Sequence, residues 1–202
     1  LGMTGKFFFI DQKKSKYKTS FYYDLNEDKD KKHDHIIFNL SNNQKLIYND
    51  VRKFGFIKFI RYANLEQNMH LKLLGPEPLS GKFNIRYFKN YIMGRNRTTK
   101  DLLMDQKFLS GLGNIYVNEI LFFSGVRPTK KIKNLSDSEI KKIIKFTKKI
   151  ISKAIAHGGS SIKDFSSSSG KKGSFQQYFS VYGKKGDKCS NKNCCNDIIK
   201  IV

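Results

Sequence analysis

The most diagnostic segment of this chain is DQKFLSGLGNIYVNE, residues 105–119. A helix with Thr and Asp at its start is predicted to run into this segment, where Gly111 and Gly113 mark a double turn. A second helix is predicted to begin at Asn114. Its first backbone N–H groups have no partner within the helix, so they are suited to binding a phosphate. An ordinary helix-turn-helix hairpin also needs glycine in its turn, so the segment alone leaves both interpretations open.

The charge of the chain favours the phosphate interpretation. Lys and Arg number 39 against 17 Asp and Glu, which gives a net charge of +22 and a pI near 9.9. Such an excess indicates a polyanionic partner, and nucleic acid is the first candidate. An A/T-rich genome, which favours lysine codons, could account for part of the size of the excess but not for its sign.

Composition also limits the class of protein. With 39% hydrophobic residues the chain can build real cores, and 202 residues suit one large domain or two small ones. No run approaches the roughly 18 apolar residues of a membrane span, and no signal-peptide pattern opens the chain. We therefore expect a cytoplasmic protein without a membrane partner. The three cysteines, Cys189, Cys194 and Cys195, fall within seven residues, which favours metal ligation over disulfides.

The first part of the chain shows the pattern of β structure. Short apolar stretches separated by polar turns such as Ser41-Asn42-Asn43 predict hairpins of an antiparallel sandwich. The predicted strands are KFFFI at 6–10, FYY at 21–23, HIIFNL at 35–40, QKLIY at 44–48 and FGFIKFI at 54–60.

After the linker LGPEPL at 74–79 the periodicity becomes helical. The clearest helix begins at Ser136, where Glu139 completes a capping box, and Gly158-Gly159 ends it. The stretch SSSSGKKG at 166–173 predicts a basic loop, and FSVY at 179–182 predicts a further strand.

Taken in series, seven motifs resemble the bacterial formamidopyrimidine-DNA glycosylase family. In order and spacing they cover nearly the whole chain. They are LGMTG at 1–5, KHDH at 32–35, DVRKFG at 50–55, LGPEPL at 74–79, the segment 105–119, GGSSIKDF at 158–165 and VYGKKG at 181–186.

The resemblance implies an α+β fold in three parts. Residues 1–73 would be the remainder of an amino-terminal antiparallel β-sandwich, and residues 74–165 a helix-two-turns-helix DNA-binding domain. Residues 166–202 would hold a lesion-side loop and an incomplete β-hairpin zinc finger.

The resemblance also implies base-excision DNA repair. Family members remove oxidised purines such as 8-oxoguanine and formamidopyrimidines, then nick the abasic strand by β,δ-elimination. Their nucleophile is the amine of an amino-terminal proline followed by glutamate, and Leu1 matches a position well inside the family sequence. We therefore expect the 202 residues alone to bind DNA without glycosylase or lyase activity, because a remote lysine cannot replace a positioned amine.

The DNA-binding residues that the resemblance implies are largely present. Met3, Arg52 and Phe54 would fill the space left by an extruded base, with Arg52 on the edge of the orphaned cytosine. Asn114 would cap the second helix of the hairpin and donate to a phosphate. The remaining positions implied near DNA are His33, Arg95, Lys100 and Lys171, the last in the loop that closes over the flipped base.

The cysteine cluster resembles the first half of the family's structural zinc finger. Cys189 with Cys195, or with Cys194 as the alternative, would supply two of the four ligands that tetrahedral zinc requires. The family's second pair would lie beyond Val202. With three cysteines and no nearby histidine, we expect the 202 residues not to hold zinc tightly.

Two other functions remain open at this point. One is an endonuclease VIII-like glycosylase for oxidised pyrimidines, although the Asn114-Ile115-Tyr116 triplet looks more like the purine branch. The other is a non-catalytic nucleic-acid-binding module, which would need neither the trio of Met3, Arg52 and Phe54 nor the loop around Lys171. The leading expectation is a monomeric bacterial repair enzyme that binds double-stranded DNA containing oxidised bases at the nucleoid.

Overall fold

The computed structural model describes residues 5–10, 16–17, 31–160, 174–191, 194 and 197–200. The chain packs as two compact units. The first comprises residues 1–60 and 157–176, and the second comprises residues 61–156 and 177–202.

The first unit contains one antiparallel sheet. Its strands are β1 (Gly5–Ile10), β2 (Lys16–Tyr17), β3 (Asp34–Asn39) and β4 (Lys45–Asp50), in the order β2-β1-β4-β3. The predicted hairpin between β3 and β4 is confirmed: Leu40 N–H donates to the Gln44 carbonyl at 2.8 Å across a 3-10 turn. Apolar residues of β1 and β4, such as Phe8 and Ile47, are buried, so the centre of the sheet forms the core of this unit.

The predicted strand at 54–60 is wrong. These residues form no ladder with any described strand, and the side chains of Phe56 and Phe59 are exposed. Alternating apolar residues predict a strand only when a neighbouring strand can take up the backbone hydrogen bonds, and the described sheet ends at β3 and β2. The predicted strand at 21–23 lies outside the described residues. The α+β class is confirmed, with one four-stranded sheet among the residues described.

The second unit is built mainly from helices. They are α1 (Met69–Lys72), α2 (Ile85–Ile92), α3 (Thr99–Met104), α4 (Asn114–Ser124) and α5 (Asp137–Ala156). Single 3-10 turns occur along the chain at Lys31–His33, Ser41–Asn43, Tyr62–Asn64, Ile132–Asn134 and Phe175–Tyr178. None of the helices that the structure describes is both long and apolar enough to cross a lipid bilayer.

The long helix α5 starts as predicted. Ser136 N–H donates to the Glu139 carboxylate at 2.8 Å, and Glu139 N–H donates to the Ser136 hydroxyl at 3.2 Å, which is the reciprocal capping box. Residues spaced three and four apart form its buried face, and they include Ile140, Ile143 and Ile150. Gly158 follows the helix with a φ of 70°, a conformation that favours glycine.

Candidate nucleic-acid interface

The double turn between α3 and α4 is held by the side chain of Gln106. Its Oε1 accepts the Gly111 N–H at 2.8 Å, while its Nε2 donates to the carbonyls of Leu112 at 2.8 Å and Met104 at 3.2 Å. One amide side chain thus fixes both ends of the turn, and Gly111 supplies the required φ of 85°. Sequence analysis did not single out Gln106, whose only signal was its place in the 105–119 motif.

The segment LGPEPL is part of the same structure rather than a simple linker. Gly75 N–H donates to the Gln106 carbonyl at 2.8 Å, and Ser110 N–H donates to the Pro76 carbonyl at 3.1 Å. A Cβ on Gly75 would lie 2.7 Å from the Lys107 carbonyl oxygen and closer still to Phe108 backbone atoms. Glycine is therefore required here, because the two backbones approach closely. The two hydrogen bonds attach the segment to the double turn.

Aromatic side chains of α2 pack against Phe108 of the double turn. Phe108 is fully buried, with ring centroids 5.0 Å from Phe88, 4.9 Å from Tyr91 and 5.7 Å from Tyr87. The Tyr87 hydroxyl also donates to the Phe108 carbonyl at 2.7 Å. Buried aromatic side chains contribute large apolar areas, so this cluster holds the turn against α2.

Asp105 lies at the start of the double turn, where its carboxylate accepts hydrogen bonds. Its carboxylate accepts the Lys107 N–H at 2.9 Å and is paired with the Arg97 guanidinium. Partial burial works to raise the pKa of Asp105, but the hydrogen bonds from Arg97 and from the Lys107 backbone outweigh it, so the pKa lies below its ordinary value. The carboxyl group is therefore held ionised in the folded state.

The start of α4 differs from the prediction in one respect. Asn114 is the first helical residue, as expected, but the expectation that its side chain caps the helix is wrong. Gly113 occupies the N-cap position and no side chain accepts a capping hydrogen bond there. The Asn114 Oδ1 instead accepts from Asn118 Nδ2 at 3.2 Å, and Asn114 is exposed. A helix start without a capping side chain leaves its backbone donors available to an anion.

A groove of about 890 Å³ lies beside this helix start, entirely within the second unit. Asn114 and Asn118 line it together with basic residues from separate parts of the sequence. The basic residues are Lys100, Arg127, Lys185 and Lys200. Two of the predicted DNA-binding residues, Lys100 and Asn114, are thus brought to one surface, and converging positive charge of this kind attracts a phosphate backbone.

Glu119 connects the two walls of this groove. Its side chain, on α4, is only 1% exposed and accepts three consecutive backbone N–H groups, from Ser180 at 2.8 Å, Val181 at 3.0 Å and Tyr182 at 2.8 Å. A buried carboxylate needs such donors, and here they come from the segment leading to Lys185. Sequence analysis missed this role, although an acidic residue amid the apolar stretch of α4 was a usable signal.

The same contact explains why the strand predicted at 179–182 is wrong. Residues 180–182 form a bend and turn. The backbone N–H groups that a strand would offer to a neighbouring strand are donated to the Glu119 carboxylate instead.

Beyond the turn, the chain forms a short hairpin that carries Cys189 and Cys194. Cys189 N–H donates to the Asp197 carbonyl at 2.8 Å, and Ile199 N–H donates to the Asp187 carbonyl at 3.0 Å. The Cys194 thiol lies beside the Cys189 thiol. The Asp197 backbone N–H acts to lower the pKa of Cys194, but the adjacent Cys189 thiol and burial together raise it above its ordinary value.

No cluster of three or more metal-ligating side chains occurs in the part of the chain that the structure describes. Cys195 lies outside the described residues, so the choice between Cys194 and Cys195 as the second ligand stays a prediction.

In the first unit, Asp50 organises the loop that presents Arg52 and Phe54. The Asp50 carboxylate is fully buried and accepts the Tyr48 hydroxyl at 2.9 Å, the Arg52 N–H at 3.2 Å and the Gly55 N–H at 3.1 Å. Phe54 is 66% exposed, and the Arg52 guanidinium lies 5.3 Å from its ring centroid. An exposed aromatic ring paired with an arginine is suited to stacking on and hydrogen-bonding to a base.

The other predicted site residues are placed as follows. His33 is half-buried in the 3-10 turn that leads into β3. The Arg95 guanidinium packs 4.1 Å from the Tyr91 ring centroid and lines a separate groove of about 540 Å³, not the one with Lys100. Met3 and Lys171 lie outside the described residues. Their roles, like those of Arg52, Phe54 and His33, stay predictions.

Two family models and several known proteins match this chain. The model of the formamidopyrimidine-DNA glycosylase N-terminal domain matches residues 1–57, and that of the formamidopyrimidine-DNA glycosylase H2TH domain matches residues 74–166. Formamidopyrimidine-DNA glycosylase of Rickettsia bellii is 44% identical over 170 residues, covering 84% of this chain and 61% of the relative. That of Rickettsia felis is 40% identical over 200 residues, covering 99% and 66% respectively.

Solved structures agree with these matches. The Lactococcus lactis Fpg protein in complex with abasic-site DNA matches with a TM-score of 0.77 and 33% identity, over 98% of this chain and 66% of that one. MutM in complex with DNA containing carbocyclic 8-oxo-G matches with the same values. The chain thus spans about three fifths of the length of the first curated relatives it matches.

Proposed function

This chain belongs to the formamidopyrimidine-DNA glycosylase family, and we propose on that premise that it acts in base-excision repair by binding double-stranded DNA that contains oxidised purines. Solved relatives hold DNA with a formamidopyrimidine lesion, an abasic site or 8-oxo-G. These relatives come from bacteria, so the expected setting is the bacterial cytoplasm, on nucleoid DNA, with the protein acting as a monomer.

The observation that carries the proposal is the basic groove beside the start of α4. Its helix end has no capping side chain, and Asn114 and Lys100 line the groove with three further basic residues. Backbone N–H groups at a helix start, an amide and several cations are the donors that phosphate contacts use. Because phosphates carry no sequence information, this groove would supply affinity and register rather than choice of lesion.

Lesion recognition belongs to the other set of residues. We assign Arg52 to the edge of the orphaned cytosine and Phe54 to the gap that the extruded base leaves, with Met3 and Lys171 completing the set by resemblance. The support from this structure is the loop held by Asp50, which places an exposed Phe54 next to the Arg52 guanidinium. A loop fixed by hydrogen bonds to a buried carboxylate can present both side chains without losing much entropy on binding.

The experiment that tests the proposal compares two single variants. Binding is measured for duplexes with an abasic analogue opposite cytosine or adenine, and for undamaged duplex, across a range of salt concentrations. Asn114→Ala should weaken binding to all three duplexes alike, because it removes a phosphate contact. Arg52→Ala should remove the preference for cytosine while leaving most of the non-specific affinity.

Three results would contradict the assignment. Identical behaviour of the two variants would show that the division between groove and loop is wrong. A native chain that prefers adenine would favour the endonuclease VIII-like alternative. A native chain with no preference at all would favour a plain nucleic-acid-binding module.

The chemical step of the family is base removal followed by β,δ-elimination, and its lyase half is part of this proposal. The resemblance assigns the nucleophile to an amino-terminal proline that precedes a glutamate, whereas Leu1 opens these 202 residues. A polypeptide of these residues is therefore expected to bind damaged duplex without cutting it. Borohydride trapping of a covalent complex between this polypeptide and 8-oxoguanine duplex would contradict the expectation.

By the resemblance, we propose zinc as the structural ion of the cysteine hairpin in full-length family members. Cys189 and Cys194 lie side by side and are chemically suited to it, but tetrahedral zinc takes four ligands and the described residues offer two here. Zinc would brace the hairpin that carries Lys185 and Lys200. Elemental analysis of the purified 202-residue chain should find less than one zinc per molecule after dialysis, and one tightly held zinc would refute this.

A further inference from the structure

The solvent face of α5 carries six lysines on one side of the helix. They are Lys141, Lys142, Lys145, Lys148, Lys149 and Lys153. At about 100° per residue they fall within an arc of roughly 140°, which is centred almost opposite the buried face. All but Lys148 are exposed, and Lys148 is half-buried. The helix therefore presents a continuous basic surface, called here the lysine stripe.

The stripe has no acidic counterpart on its own helix. The acidic residues of α5 are Asp137 and Glu139 in its first turn, which pair with Lys89 and Lys130. Across the residues that the structure describes, no ion pair involves a lysine of the stripe. The Lys153 ammonium lies 4.0 Å from the Tyr178 ring centroid.

Such an arrangement is costly for an isolated helix. Like charges three and four residues apart repel and destabilise it, and the pairs Lys141 with Lys145 and Lys145 with Lys149 have this spacing. The helix tolerates the repulsion because its opposite face packs against α4 and the rest of the core. A polyanion bound along the stripe would relieve the repulsion and release counterions.

The spacing of the charges fits a nucleic-acid strand. From Lys141 to Lys153 the helix rises about 18 Å at 1.5 Å per residue. Six positive charges over that length give one per about 3 Å, close to the one negative charge that a single strand contributes per roughly 3.4 Å of duplex axis. The stripe is also distinct from the basic groove, because no residue of α5 lines that groove.

We propose that the lysine stripe of α5 is a second, sequence-independent DNA-binding surface that lets one molecule contact two duplex segments and pass directly between them. The inference rests on the proposed function, since the groove must hold the first duplex. Weak contacts with phosphates alone are sufficient for such transfer, because non-specific DNA binding is largely electrostatic.

The test measures how fast a labelled short duplex leaves the protein as unlabelled duplex is added. If two segments can be held together, the dissociation rate of the native chain rises with competitor concentration. Energy transfer between donor-labelled and acceptor-labelled duplexes should then report the ternary complex directly. The stripe variant Lys141→Gln, Lys145→Gln, Lys148→Gln and Lys149→Gln should lose the ternary signal and show a dissociation rate that no longer depends on competitor.

A matched variant controls for net charge. Lys72→Gln, Lys82→Gln, Lys131→Gln and Lys133→Gln remove the same charge from exposed positions of the same unit, outside both α5 and the groove. This variant should keep the concentration dependence. Affinity for the first duplex should stay within about twofold in the stripe variant, since no lysine of the stripe lines the groove that holds this duplex and salt screens charges that make no direct contact.

The outcomes separate the two proposals. If the native chain binds no duplex at all, the proposed function is wrong. Normal binding of one duplex, with a dissociation rate that is independent of competitor, would overturn the second surface alone. Equal loss of transfer in both quadruple variants would show that only net charge matters, and would also overturn it. Transfer to phosphatidylglycerol vesicles but not to duplex would identify the stripe as a membrane surface and refute the DNA assignment.

The salt dependence gives a quantitative check. Formation of the ternary complex should lose about 0.9 from its logarithmic salt slope for every lysine that contacts a phosphate and is removed. An unchanged slope in the stripe variant would contradict the proposal.

Discussion

Removing the Glu119 carboxylate should release the cysteine hairpin from α4. In Glu119→Ala, the N–H groups of Ser180, Val181 and Tyr182 would all lose their acceptor. A buried N–H left without an acceptor costs about 1–3 kcal/mol. Because these three residues are half-buried rather than fully buried, the lower end applies to each, and together they amount to about 3 kcal/mol.

Glu119→Gln keeps the shape of the side chain but retains only one acceptor oxygen. Its amide nitrogen would face an N–H group, and the charge that strengthens the remaining bonds would be lost. We expect roughly half of the effect of the alanine variant, or about 1.5 kcal/mol. The pair of variants therefore forms a graded series at one position.

Hydrogen exchange at the amides of residues 180–182 is the direct assay. A loss of 3 kcal/mol corresponds to exchange that is roughly a hundredfold faster, and a loss of 1.5 kcal/mol to roughly tenfold. Amides of α5 should keep their protection, and Glu66→Gln, at an exposed position, is the matched control for charge. Unchanged protection at 180–182 in Glu119→Ala would refute the reasoning.

DNA binding supplies an independent reading of the same contact. If Glu119 positions Lys185 on the groove wall, Lys185→Ala should lose less DNA-binding free energy in the Glu119→Gln background than in the native chain. The double-mutant cycle of these two substitutions should show a coupling energy of about 0.5–3 kcal/mol in DNA binding. Asn114→Ala, which acts without the hairpin, should remain additive with Glu119→Gln, and coupling of similar size there would point to a general loss of structure instead.

Three more predictions follow from the contacts of the turn and the loop. Gly75→Ala should lower the free energy of unfolding by about 1–3 kcal/mol, because its Cβ would overlap backbone atoms of Phe108. Chemical denaturation measures this loss. The control is Gly81→Ala, which should be nearly neutral because a Cβ there meets nothing within 4 Å. The pKa values of Asp105 and Glu139 are lowered in the folded state. Their stabilisation should therefore be complete above the ordinary carboxyl range of about pH 4 and disappear as the pH falls through the folded pKa values; melting curves should show no such loss between pH 6 and about pH 8. Asp50→Asn should destabilise the loop that carries Arg52 and Phe54 by about 1–3 kcal/mol, and it should weaken the preference for cytosine as the partner base. Binding with the native preference would contradict the role of this carboxylate.

Local patterns were sufficient for much of the fold. The hairpin between β3 and β4, the capping box of α5 and the start of α4 at Asn114 all depend on neighbours within a few residues, so the sequence predicts them. The strand predicted at 54–60 failed because pairing depends on a distant partner. The capping role of Asn114 failed because Gly113 takes the N-cap position, a choice of one residue that composition does not decide.

The amino-acid order alone was enough to indicate the family, the positive charge and the glycine turn, because these depend on residue identity and spacing. It did not indicate that Glu119 would hold residues 180–182, more than sixty positions further along, or that Gln106 and Gly75 would fix the turn. The contacts of Glu119 and Gly75 join segments that are distant in the chain, whereas those of the Gln106 side chain reach at most six residues but depend on how the turn folds. Hydrogen bonds between distant segments exist only after packing of the core has brought the backbones together, so tertiary packing decides which polar groups meet.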